Sequence, residues 1–165
     1  MLHYTLRQAT EADQRAILDI YNDAVVRTTS TFDLEPRTWE EQQRWSDEHR
    51  PPYQVFVATV GDTVAGWGSL SAFRPQPGYR FTAQDSIYVH DDFRRWGIGT
   101  GLLDLLIETA RQSGLHSVMA LIDGGNVVSI RLHERFGFRH VGTFREVGFK
   151  FGRWLDVAHM QKMLE

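Results

Sequence analysis

The sequence predicts an α/β fold (α+β) with elements in the order β-α-α-β-β-β-α-β-α-β-β. Three observations carry that prediction. Asp85-Ser86-Ile87-Tyr88-Val89 is β-branched and aromatic, whereas Leu102, Leu103, Leu105, Leu106 and Ile107 recur at helical spacing, so the glycines between them sit at a strand-to-helix corner. Val55 to Ala58 and Val64 to Leu70 are strand-like on either side of Gly61-Asp62, the pattern of a hairpin. Ser117 to Ile122, a short apolar run after Gly114, suits a buried strand.

Taken in order, Thr5 to Ala9 makes a short first strand. Thr10 with Asp13 suits a helix start, although Asp is a weaker capping-box partner than Glu. Ala16, Ile17, Ile20, Tyr21, Ala24 and Val25 then share one helical face, expected to pack on a sheet. The stretch from Arg27 to Pro36 is too rich in β-branched and hydroxyl residues to continue that helix and forms a loop. Thr38 with Glu41 is a capping-box signature for a second helix carrying Trp39, Gln42 and Trp45 toward Pro51-Pro52. After the hairpin, Ser71 to Gly78 is a second irregular loop, and Tyr79 to Thr82 leads into the central strand. The two loops are expected to bracket the sheet. Gly114 stops the Leu-rich helix, and Asp123-Gly124-Gly125-Asn126 makes a turn. Ile130, His133 and Phe136 share a face of a helix ending at Gly137, and Phe138, Val141, Phe144, Val147, Phe149 and Phe151 mark two closing strands.

With 165 residues, 42% hydrophobic and 24% charged, the chain suits one domain spanning residues 1–165 with a proper core. A net charge of -3 gives no global field for nucleic acid or an anionic membrane. The absence of Cys removes disulfides, thiolate metal sites and a cysteine nucleophile, and no metal is expected. Met1-Leu2-His3-Tyr4-Thr5-Leu6-Arg7 lacks a continuous apolar core, and no segment approaches the ~20 apolar residues that span a bilayer, so the expected location is the cytoplasm.

The corner carries the chemistry. Arg94-Arg95-Trp96-Gly97-Ile98-Gly99-Thr100-Gly101 opens a helix, whose first N–H groups have no intrahelical acceptor and whose dipole adds positive charge. Gly97 and Gly99 let a pyrophosphate approach the backbone, and Arg94 and Arg95 add cations. No Gly-Lys-Ser/Thr follows, against a Walker loop, and Gly-x-Gly-x-Gly is not the dinucleotide spacing.

The run Arg94-x-x-Gly97-x-Gly99 resembles the pyrophosphate motif of the GNAT superfamily of acetyl-CoA-dependent N-acetyltransferases. Within it the chain is similar to the phosphinothricin and methionine sulfoximine N-acetyltransferase group. That likeness rests on Ile20 to Val25, Thr28 to Asp33, Leu70 to Arg74, Ser86 to Val89, Leu132-His133-Glu134 and Val147 to Asp156. The resemblance implies a mixed seven-stranded sheet splayed between strands 4 and 5 with helices on both faces. It also implies acetyl-CoA as co-substrate, direct attack within a ternary complex, and a homodimer. The group acetylates the α-amino group of compounds such as phosphinothricin, methionine sulfoximine and methionine sulfone.

Carried over by position, the resemblance places backbone groups of Ile87 and Val89 on the thioester carbonyl. It places the coenzyme against Arg94, Arg95, Gly97, Ile98, Gly99, Thr100, Asn126 and Ser129, and makes His133 the proton donor to the thiolate. Ordinary ladder bonds for the strand residues and a helix cap for Asn126 are the plainer alternatives. Relatives carry a general-base Glu in Thr-x-Glu-x-Ser-x-Tyr-Val, where this chain reads Thr82-Ala83-Gln84-Asp85-Ser86-Ile87-Tyr88-Val89. Gln84 cannot take a proton. Either Asp85 is the base, which strand alternation disfavours without a bulge, or solvent is, or the change is inactivating. Arg74 and Arg80 are candidate carboxylate clamps, with Phe32 and Tyr79 as pocket walls. Two other readings stay open: an acetyl-CoA-binding sensor or interaction module, and an acetyltransferase of peptide amino termini or polyamines.

Overall fold

The computed structural model describes residues 3–165; Met1 and Leu2, the start of the amino-terminal stretch weighed above, lie outside them. Strands β1 (Thr5–Gln8), β2 (Val55–Val60), β3 (Thr63–Ala72), β4 (Thr82–Val89), β5 (Ser117–Asp123), β6 (Arg139–Lys150) and β7 (Arg153–Met163) form one sheet in the order β1-β2-β3-β4-β5-β7-β6. All neighbours are antiparallel except β4 and β5. The expected mixed seven-stranded sheet is thus present.

Strand alternation assigns each helix to a face. Phe56, Ala58 and Ala83 join Ile98, Leu102, Leu103 and Leu106 of helix α3 (Ile98–Gln112) in the larger core, on which Ile130, Leu132 and Phe136 of helix α4 (Val127–Arg135) also pack. Each fully buried leucine there contributes about 1.5–3 kcal/mol. Val55, Val57 and Trp67 point the other way and meet Ile17, Ile20, Tyr21 and Val25 of helix α1 (Gln14–Arg27), with Trp45 of helix α2 (Trp39–Glu48) alongside. The helical face of Ile17, Ile20, Tyr21, Ala24 and Val25 is therefore the one that is buried.

Both predicted caps form, with a difference at the first. The Thr38–Glu41 box opens α2 directly, whereas Thr10 opens a 3-10 turn, Glu11–Asp13, before α1 begins. Asp13 does more than a cap requires: it accepts from the Thr10 backbone at 2.7 Å and from both Arg7 guanidinium nitrogens at 2.7 and 2.8 Å. The Arg7 hydrogen bonds outweigh the opposing desolvation and pull the Asp13 carboxyl down to about 2.

The two expected closing strands form, but most of the aromatic and aliphatic residues that mark them stay exposed. Phe138 is buried, yet Val141, Phe144, Val147, Phe149 and Phe151 are all more than half exposed. All but Phe151, which lies in the turn to β7, belong to β6, the edge of the sheet, so hydrophobicity there does not translate into burial within this chain. No helix among the described residues is long and apolar enough to cross a membrane.

Candidate active site

The parallel strands β4 and β5 pair only at Thr82 with Ser117, Ala83 with Val118 and Gln84 with Met119, and from Asp85 onward they part. Which backbone groups face the gap follows from alternation. The Phe81 carbonyl accepts from His116 and Ser117 on the β5 side, the Thr82 carbonyl accepts from Phe73 on the β3 side, and the His90 N–H again reaches β3 at Ala65. Odd-numbered residues therefore turn their N–H and C=O groups toward β5, and Ile87 and Val89 present theirs to the open gap. The Arg94 Nε lies 3.5 Å from the Val89 carbonyl, at that same edge.

The gap opens into a groove of about 2370 Å³ lined by β4, the α3 corner, the end of β5, α4 and the β6–β7 ribbon. A drug-sized pocket spans roughly 300–1,000 Å³, so this groove suits an elongated ligand plus a second one. At the corner, Gly97 caps α3 with φ of 83°, and the first intrahelical bond runs from Gly101 N–H to the Gly97 carbonyl. The amides of Ile98, Gly99 and Thr100 precede it and are left for a ligand.

The three glycines do different things. A Cβ at Gly101 would sit 2.7 Å from the Tyr4 hydroxyl, which donates to the Gly97 carbonyl at 3.1 Å, so Gly101 serves packing on β1. A Cβ at Gly99 would make only ordinary contact with Leu132 at 3.6 Å and Val89 at 4.0 Å, so packing within the chain does not demand glycine beside the free amides. Arg95 is held at φ of 66°, and it forms no ion pair among the described residues, while Arg94 pairs with Asp91 at 2.7 Å. Free amides, a glycine at position 99 that packing does not demand and two arginines fit a diphosphate such as that of acetyl-CoA.

The same alternation separates the two candidate bases. Ala83, Asp85, Ile87 and Val89 face α3 and α4; Gln84, Ser86 and Tyr88 face α1 and α2. The register of β4 on β3 runs without a shift, so no bulge turns Asp85 to the Gln84 face. Asp85 instead meets His133: Oδ2 lies 2.8 Å from Nε2, with both side chains almost fully buried. His133 Nδ1 lies 2.8 Å from the Ser129 carbonyl one helical turn back. Burial works against a charged imidazole, but the hydrogen bond and charge of Asp85, aided by Ser129, outweigh it and hold His133 above its ordinary value. Asn126 caps α4, its Oδ1 accepting from the Ser129 N–H at 3.1 Å while its side chain also lines the groove.

On the opposite side, the loop after α1 is tied across the opening. Thr29 bonds to Asp123, Tyr88 reaches the Ser30 carbonyl at 3.4 Å, and buried Lys150 donates to the Thr31 carbonyl at 2.8 Å. Phe32 lies on Gly148, where its ring leaves no room for a Cβ, and lines the groove. Burial pushes the Tyr88 phenol up, so it remains a donor.

The loop between β3 and β4 is placed differently. Arg74 stacks over Phe73, Arg80 over Phe81 while bonding the Pro77 carbonyl, and Tyr79 packs edge-on against Phe73. None of the three lines the groove of this chain. Groove residues given no site role from the sequence include Tyr88, Asp123, Glu146, Arg153, Trp154 and Asp156. Tyr88, Arg153, Trp154 and Asp156 carried a signal only as part of the stretches similar to the family, without a role attached. The others come from the end of β5 and from the β6–β7 ribbon, and only the sheet order brings those together.

The pattern of the acetyltransferase (GNAT) family matches residues 15–138. A protein named L-methionine sulfoximine/L-methionine sulfone acetyltransferase from Pseudomonas aeruginosa is 44% identical over 163 residues, covering 98% of this chain and 95% of its own. A phosphinothricin acetyltransferase from Sinorhizobium meliloti, solved in complex with acetyl-CoA, superposes with a TM-score of 0.94 at 38% identity, covering 99% of this chain and 89% of its own. A ribosomal-protein-alanine N-acetyltransferase from Brucella melitensis superposes equally well, with a TM-score of 0.94 at 43% identity, over 97% of this chain and 99% of its own.

Proposed function

The chain belongs to the GNAT acetyltransferase family, and from that premise we propose that it transfers the acetyl group of acetyl-CoA to the α-amino group of small amino acids or their analogues, such as methionine sulfone, methionine sulfoximine and phosphinothricin. The observation that carries this reading is the parting of β4 and β5 at Asp85, next to the free amides of α3. The amides of Ile98 to Thr100 with Arg94 and Arg95 hold the diphosphate, and the Asn126 amide stands beside the pantetheine path. Along the gap, the unpaired N–H groups of Ile87 and Val89 polarise the thioester carbonyl. The amine enters from the α1 side, past Phe32 and Gln84, and attacks directly while both substrates are bound.

The substrate's carboxylate is held by a guanidinium. On one chain Arg153 is the arginine of the ribbon that lines the groove, whereas Arg74 and Arg80 project outside it. The exposed apolar edge of β6 supports pairing with a second copy, and a homodimer is the form in which the β3–β4 arginines gain a site to serve. The whole chain, residues 1–165, acts as one catalytic domain in the cytoplasm.

A release assay for free thiol, with acetyl-CoA against methionine sulfone, methionine sulfoximine, phosphinothricin, spermidine and a short peptide, tests this. The three amino-acid analogues should turn over and the other two should lag. A second reading, acetylation of a peptide amino terminus, is favoured by the likeness to the Brucella melitensis enzyme and by the open groove; faster turnover of the peptide would establish it. The groove walls also carry Asp123, Glu146 and Asp156, so the spermidine arm is a real competitor. Acetyl-CoA binding with no turnover of any amine would leave a sensor, with Gln84 as its inactivating feature.

A further inference from the structure

Among the described residues, two buried side-chain polar atoms have no hydrogen-bond partner: the Trp67 indole N–H and Asp85 Oδ1. The first lies inside an aromatic layer, with Tyr88 at 4.8 Å and Trp45 at 5.3 Å between ring centroids. The second belongs to Asp85, a residue of the groove wall whose carboxylate is itself almost fully buried. Asp85 is moreover the first β4 residue beyond the last β4–β5 pair, so its backbone stands at the apex of the split while its carboxylate turns to His133 on the α4 side.

The state of its partner follows from hydrogen-bond chemistry. A carbonyl can only accept, so the Ser129 contact fixes a proton on His133 Nδ1. Nε2 then faces Asp85 Oδ2 at 2.8 Å, and two lone pairs at that distance repel unless a proton lies between them. The pair holds that proton, His133 has both nitrogens committed, and Oδ1 is the one polar side-chain atom of the pair left free.

Resting on the acetyltransferase reading above, we infer that Asp85 is the proton carrier of the reaction and that His133 is a positioning residue which aims its carboxylate. The donor role that the resemblance gives His133 passes to Asp85. The amine arrives unprotonated, and its lone pair forms the N–C bond at the thioester carbonyl carbon. Nitrogen, arriving from the Gln84 side, and sulfur are then bonded to one carbon in the gap, and Oδ1 must reach both from the α3–α4 face. A nitrogen proton passes to Oδ1, the C–S bond breaks with its electron pair going to sulfur, and Oδ1 passes the proton to sulfur. Products are the amide and free thiol, and Asp85 ends as it began. No base is needed at position 84, which accounts for Gln84 in an active enzyme.

The test has two arms. In kinetics, Asp85→Asn keeps the shape and can still bond His133 but cannot carry the proton; kcat should fall on the order of 10²–10³-fold with the KM for acetyl-CoA unchanged. His133→Gln should cost only about tenfold, because the carboxylate remains. An Asp85→Asn enzyme within threefold of wild type, or a larger loss for His133→Gln, would overturn the assignment. The second arm needs neither turnover nor a variant that folds. In wild-type protein with ¹⁵N-labelled histidine, coenzyme A should shift the His133 Nε2 resonance as its thiol donates to Oδ1, and desulfo-coenzyme A should not. Equal shifts would overturn the proposal. A wild-type protein that turns over no amine sinks the proposed function, while the resonance arm still judges the pair.

Discussion

The two faces of β4 solve opposite problems with the same eight residues. Toward α3, Ile87 and Val89 stand opposite Gly68 and Gly66 of β3. A Cβ at Gly66 would come within 2.9 Å of the Tyr88 carbonyl and 3.2 Å of Ile98, and one at Gly68 within 3.0 Å of Leu106. Small residues there let α3 come down onto the sheet, so its amino terminus ends level with the gap. Toward α1, Tyr88 stands opposite Trp67 in a layer with Tyr21 and Trp45. Large rings hold α1 and α2 off the sheet. One face is thus built to bring a helix end to a ligand and the other to wall a second ligand's entrance. A carboxylate moved by one residue along β4 moves between these two jobs.

If that division is right, the largest effect comes from the aromatic face. Trp67→Ala should cost about 3–5 kcal/mol of unfolding free energy, measured in denaturant, while the folded fraction keeps its acetyl-CoA affinity within about threefold. A loss of affinity as large as the loss of stability would erase the distinction between the faces. Next in size is the anchor that starts α1. Asp13 has its carboxyl lowered from 3.8 to about 2, which makes its contribution about 2 kcal/mol. Because the folded value is depressed, that contribution is fully present above about pH 4 and is lost as pH falls toward and through about 2. Asp13→Asn should lower the melting temperature at pH 7 and not at pH 2; equal lowering at both would show that charge is not the cause. On the opposite face Gly66→Ala should cost about 1–3 kcal/mol by overpacking and, unlike Trp67→Ala, should weaken acetyl-CoA binding as α3 is pushed outward. Calorimetry on both variants sharpens the contrast. The smallest effect is kinetic. Gln84→Glu places a carboxylate on the amine face, and kcat/KM should rise about tenfold well below the substrate ammonium pKa and stay level above it. An unchanged acid limb would mean that the amine does not pass residue 84.

Legibility in the sequence followed the same division. The α3 face was readable because its signals are local: a β-branched strand, glycines and a Leu repeat lie within about two dozen residues of each other in the chain. Gly97 and Gly99 drew attention through their local motif, whereas the constraint on Gly101 was hidden, because it comes from Tyr4, far away in sequence. Asp85 and His133 were each singled out, but their contact bridges 48 residues and depends on how α4 lies over β4. Alternation alone placed Asp85 away from Gln84, and the unshifted register bears that out. The aromatic run of β6 announced a closing strand correctly but not its exposure, since a strand pattern says which residues alternate and not whether anything covers them. Arg74 and Arg80 were chosen for chemistry that many exposed arginines share, and the single chain places them outside the groove.

The most direct test of the central claim is a crystal structure of the protein with acetyl-CoA and methionine sulfone. The account predicts the diphosphate on the amides of Ile98, Gly99 and Thr100, the thioester between β4 and β5 beside Ile87 and Val89, and Asp85 Oδ1 within hydrogen-bond distance of sulfur. A coenzyme docked away from the α3 corner, or a thioester that never enters the gap between the two strands, would contradict it.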